Sequence, residues 1–230
     1  MIRSTSLALA LMSLPVLAQM ELPPPPPPPP PPMVDAPTIE EEGRVRWGIN
    51  AQVGAFLPQT AVMFGVEGRV GYQFDRLLAV YLNLGGAVGL GLSASSTSTG
   101  ASASASVVAY WTAGILGELT LFDHLVLAAG PALADGAWAG AVASSSAAGT
   151  STSSVTSAGF MPALDFKLGV GLGGRRPHGR RSHFTLGVDL LVLFSPNAQY
   201  TTTPSGGSGT VTHGLAVGFA PTLMLGYDAR

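Results

Sequence analysis

The chain has 230 residues, with 11 Lys and Arg against 13 Asp and Glu, a formal charge of −2 and no cysteine. The missing cysteine excludes disulfides, thiolate metal sites, cysteine nucleophiles and a lipid-modified N-terminal cysteine. The near-neutral balance, without a basic stripe, argues against nucleic-acid binding. Only 10% of residues are charged while 47% are hydrophobic, whereas soluble domains carry about a quarter charged residues. No uninterrupted apolar run reaches the ~18 residues of a membrane helix. Lipid cannot satisfy backbone N–H and C=O groups, so the remaining way to span it is a closed barrel.

Residues 1–18 read as a secretory signal peptide. Arg3 supplies the positive start, residues 7–17 a short apolar stretch, and Val16-Leu17-Ala18 the cleavage pattern. Residues 19–43 read as a linker. Its proline tract runs from Pro23 to Pro32 and is followed by Asp35, Glu40, Glu41 and Glu42. Such a tract forms a polyproline II rod of about 31 Å, a periplasmic spacer with a proline-reading partner as the alternative.

From residue 44 to 230 the chain alternates with period two, placing successive side chains on opposite faces of a strand. In residues 45–56, Val45, Trp47, Ile49, Ala51, Val53 and Ala55 share one face, and Arg46, Asn50, Gln52 and Phe56 the other. The second segment sets Phe64, Val66, Val70, Tyr72 and Phe74 against Glu67, Arg69 and Gln73. The third sets Leu78, Val80, Leu82, Leu84, Val88, Leu90 and Leu92 against Ala79, Tyr81, Asn83 and glycines. Residues 107–122 place Trp111, Ile115, Leu119 and Leu121 opposite Glu118 and Thr120. Residues 125–138 are weaker, with Leu125, Leu127 and Leu133 on one face. Residues 160–172 oppose Leu164, Phe166, Leu168 and Val170 to Asp165 and Lys167, and residues 184–194 oppose Phe184, Leu186, Val188, Leu190 and Val192 to Asp189. Residues 215–227 complete eight segments.

The connections alternate as well. Residues 57–61, 75–76 and 123–124 are short and 173–182 middling, while 93–106, 143–157 and 195–213 are long and rich in Ser, Thr, Ala and Gly. With the N-terminus in the periplasm, all the Ser/Thr-rich connections fall outside the cell, as in outer-membrane barrels. Low complexity predicts that they are mobile loops.

Strand pattern and loop alternation resemble the small eight-stranded outer-membrane barrels of the OmpA and OmpX type. The resemblance implies an all-β, eight-stranded antiparallel up-and-down transmembrane barrel, monomeric, in the bacterial outer membrane. It also implies outer-membrane lipid and the barrel-assembly machinery as partners. Such barrels usually end in an aromatic residue; here Tyr227 stands three residues before the end. The peptidoglycan-binding domain of some relatives is not seen.

The seven charges Arg46, Glu67, Arg69, Glu118, Asp165, Lys167 and Asp189 share the inward parity. Buried ions need partners, so they are expected to form a salt-bridge network that plugs the lumen; a small conducting pore is the alternative. Arg175, Arg176, Arg180 and Arg181 form the densest charge, suited to anionic headgroups at the periplasmic face. His124, His178 and His183 fall at predicted periplasmic turns and His213 begins the last strand, so no histidine pair has metal-ligand spacing. The loop serines lack anything to orient a nucleophile. No cofactor, metal or catalytic group is implied, against the alternative of a lipid-modifying barrel enzyme. A secreted carrier of an apolar ligand would be apolar within and charged without, the reverse of this parity. Finally, Pro131 and Pro162 fall equidistant from the tip near Ser146 and Ala147. If that hairpin closes symmetrically they lie opposite one another and open a bulge between their strands.

Overall fold

The computed structural model describes residues 44–75, 77–122, 124–173 and 182–229. The signal peptide, the linker and Arg175, Arg176, Arg180 and Arg181 lie outside the described residues.

The eight alternating segments form eight strands: β1 (Arg44–Phe56), β2 (Ala61–Gln73), β3 (Leu78–Thr97), β4 (Gly100–Leu121), β5 (Leu125–Ser146), β6 (Gly149–Leu172), β7 (Ser182–Thr203) and β8 (Thr210–Ala229). They pair antiparallel in sequence order, and β1 joins β8 from Trp47↔Ala229 to Gly54↔Thr222, closing the barrel. Closure removes the edges at which an open sheet leaves N–H and C=O groups unpaired.

The outer wall follows from parity. Trp47, Tyr72, Phe74, Phe122 and Phe184 are exposed near one rim, where Trp47 and Phe184 pack on Tyr227 at 6.1 and 5.7 Å between ring centroids. Phe64, Trp111, Phe160 and Phe219 form a second exposed ring, with Trp111 and Phe160 6.4 Å apart. Between the two rings every outward position among the described residues is apolar or glycine. Phe64 on β2 and Phe74, just past its end, are ten residues apart, matching the ~9–11 residues with which a tilted strand crosses the hydrocarbon core.

Most residues of the predicted long loops are instead strand, with 204–209 remaining a loop. β3 to β8 run 20 to 24 residues, about twice what a membrane crossing takes. β3 pairs with β4 out to Thr97↔Gly100, and β5 with β6 out to Ser146↔Gly149. The Ser/Ala sequence alternates too, and its polar side chains bond across the ladder. Ser93 and Ser104 hydroxyls meet at 2.7 Å, Ser95 and Ser102 at 2.8 Å, and Ser144 and Ser151 at 2.9 Å. Composition suggested mobility; period-two alternation, present in the same residues, specified sheet.

The proline pairing also differs from expectation. The β5–β6 register runs unbroken past both residues, with Pro131 facing Leu164 and Pro162 facing Leu133. The prolines are diagonal, and each disturbs the ladder on its other flank. Pairing in β4–β5 lapses between Gly114↔Ala132 and Gly117↔Ala129, at the level of Pro131. The β6–β7 register shifts between Thr156 and Ala163, a span that contains Pro162. Pairing of β1 with β8 breaks off at Thr222, one residue short of Pro221, and resumes in the single bridge Leu57↔Phe219. A strand residue donates toward one neighbour only, so a missing N–H is felt in one ladder.

Candidate functional site

The inward positions of adjacent strands place all seven predicted charges inside the barrel, each buried. They fall into two groups. In the first, Arg46 of β1 donates to Glu118 Oε1 of β4 at 2.6 Å, and Arg69 of β2 stands 3.6 Å from Glu118 Oε2. Arg69 also pairs with Asp228 of β8, which accepts from Thr185 at 3.1 Å and lies 3.5 Å from His183. Both guanidiniums face the Tyr81 ring, at 5.0 and 5.2 Å from its centroid, a cation–π contact that strengthens away from water.

The second group is centred on Lys167 of β6. Its ammonium lies 2.7 Å from Glu67, 3.2 Å from Asp165 and 2.5 Å from Asp189. Three amides join them. Asn50 donates to Glu67 at 3.0 Å, Asn83 to Asp165 at 3.0 Å, and Gln52 to both Glu67 and Asp189, at 3.0 and 2.6 Å. The two groups hold three cations (Arg46, Arg69, Lys167) against five carboxylates (Glu67, Glu118, Asp165, Asp189, Asp228).

Two members were missed in the sequence. Asp228 is fully buried although it follows Tyr227, where the last strand was expected to end, and His183 lies inside β7 rather than in a turn. Asp228 shares the parity of Thr222 and Gly226, so one more residue of strand would have found it. His124 remains in a turn, 3.1 Å from the Gly171 carbonyl, and His213 is exposed on β8.

A third layer of the interior is apolar. Phe56, Met63, Val108, Trp138, Met161, Leu191 and Leu193 are buried with several alanines, and the Phe56 and Trp138 rings lie 5.5 Å apart. Its signal was Phe56 itself, the one large apolar residue on the polar face of the first segment.

No protein-family model matches the chain, and no curated protein matches it. Among solved structures it is similar to CarO of Acinetobacter baumannii, at 14% identity and TM-score 0.47, covering 79% of this chain and 95% of that one. Ail of Yersinia pestis is similar at 14% identity and TM-score 0.29, covering 81% and 96%. The transport unit of the autotransporter AIDA-I from Escherichia coli gives 8% identity and TM-score 0.26, covering 86% and 92%. With eight antiparallel strands closed in sequence order around a charged interior and an apolar wall outside, the chain has the architecture of the small eight-stranded transmembrane β-barrels.

Proposed function

We propose that the protein is a non-enzymatic barrel of the bacterial outer membrane with a closed lumen, and that it serves the cell surface through its strand extensions. The observation that carries this reading is the wall. An uninterrupted apolar band between two aromatic rings faces outward while the charges gather inside, the distribution lipid requires and water disfavours. A soluble carrier would have to expose that band to water.

Closure of the lumen rests on two stacked obstructions. The ion-paired groups span the interior from Arg46 to Asp189, and the Phe56–Trp138 layer lies beyond them. An eight-stranded barrel is just wide enough for its own side chains. The protein therefore acts as a monomer, with its outer wall on lipid and its Ser/Thr ladders displayed to the exterior. The signal peptide and the barrel-assembly machinery bring it there. Refolded into a planar bilayer, the protein is expected to give no steady conductance, and to migrate differently on a gel with and without boiling. Discrete channels in the wild-type protein would replace this reading with a small pore.

A further inference from the structure

We propose that the interior binds one hard divalent cation beside Lys167, through free oxygens of Asp165 and Asp189 and the hydroxyl of Thr222. The site departs from the expectation of no metal, which was drawn from histidine spacing. The proposal concerns the inside of the barrel and does not depend on what its outer wall touches.

Charge balance is the first observation. Around Tyr81, Arg46 and Arg69 balance Glu118 and Asp228. Around Lys167, one cation meets Glu67, Asp165 and Asp189, an excess of two negative charges when all three carboxyls are ionised. Uncompensated buried charge is among the costliest features a fold can hold.

The second observation is which oxygens remain free. Lys167, Asn83 and Gln52 all engage the Oδ2 atoms of Asp165 and Asp189. The Oδ1 atoms of both have no hydrogen-bond partner, although Asp165 is only 4% and Asp189 only 6% exposed. Thr222, on another strand and uncharged, is 7% exposed, and its Oγ1 has no partner either. Buried hydroxyls are seldom left so.

The third observation is space. Glu67, Asp165, Asp189 and Thr222 line one small cavity, together with Gln52 and Tyr110, and it offers about 20 Å³. That is room for one ion or water, since a single occupant needs about 10–15 Å³. A water could satisfy the orphaned oxygens but would leave the charge excess. A divalent cation answers both.

The donor set selects the ion. All donors are oxygen, which favours a hard cation over zinc or copper. One carboxylate oxygen from each of Glu67, Asp165 and Asp189 lies within 4.8 Å of the others, so the three acids converge on one small volume. The set is irregular, which calcium tolerates better than magnesium.

The test uses full-length protein refolded from urea into detergent micelles free of lipopolysaccharide, with calcium chloride, magnesium chloride or EDTA. Free metal is removed by gel filtration, bound metal is counted by atomic emission, and folding is followed by the boiled and unboiled gel mobilities. Wild-type protein is expected to retain about one divalent ion per folded chain and to unfold at higher temperature than with EDTA. Thr222→Val, nearly isosteric and lacking one donor, is expected to bind about tenfold more weakly, a loss of about 1.4 kcal/mol. Asp165→Asn with Asp189→Asn is expected to retain none. Two results overturn the proposal. One is metal retained equally by all three proteins, which marks an adventitious surface ion. The other is folded wild-type protein with no metal; protonated carboxyls in its infrared spectrum would then account for the charge balance.

Discussion

Glu118 is the residue on which the first charged group turns, receiving Arg46 at 2.6 Å and standing 3.6 Å from Arg69. Its removal strands the buried Arg46 guanidinium and leaves Arg69 with Asp228 alone. Glu118→Ala is therefore expected to cost about 3–5 kcal/mol, read from urea unfolding in micelles. Arg46→Met combined with Glu118→Ala should cost less than the sum of the single changes, because the second loss no longer strands Arg46. Strict additivity would mean that the pair is not coupled. These residues were legible in the sequence because a charge on a membrane strand has one tolerable direction, and parity gives it. Phe56 and Trp138 were less legible. Large apolar side chains serve equally inside the apolar layer or on the wall, so hydrophobicity alone could not place them.

At the scale of elements, strand position was legible and strand length was not. The wall residues that locate β3 to β6 stop near the second aromatic ring, whereas pairing continues to Thr97↔Gly100 and Ser146↔Gly149. Small polar residues carry weak strand propensity, so the extensions were visible only in their alternation and in cross-strand registry. Their amides are expected to exchange slowly with deuterium, as ladder amides do, in hydrogen-exchange mass spectrometry of refolded protein. Exchange as fast as in an unfolded peptide would return residues 93–106 to a mobile loop. Within the barrel, the weakest protection should fall where the register shifts, at Thr156/Ala163 in β6–β7 and Ser195/Ala198 in β7–β8. Pro162 and Pro196 lie in those spans and withhold donors there. Deleting residues 94–103 should leave folding intact, with the boiled and unboiled gel mobilities still distinct, because the ion pairs and the wall lie elsewhere. Loss of the heat-sensitive form would show that the extensions are needed to close the barrel.

For the whole molecule, the arrangement of polarity matters more than any single contact. Except for Asp135, which accepts from Trp111 Nε1 at 3.3 Å on the second aromatic ring, the spanning wall turns apolar side chains outward and charges inward, and closure of β1 on β8 leaves the spanning sheet without an edge. The three tryptophans sample this arrangement in three places. Trp47 and Trp111 are 53% and 48% exposed on the two aromatic rings, and Trp138 is 2% exposed in the apolar interior layer. Single-tryptophan variants refolded into vesicles that carry lipids brominated at shallow or deep positions test the claim that this wall lies in lipid. Fluorescence of Trp47 and of Trp111 should be quenched most by shallow bromines, as for aromatic residues at the two membrane interfaces, while Trp138 is quenched by neither. Trp47 and Trp111 untouched by brominated lipid, yet quenched by acrylamide from the water, would contradict it.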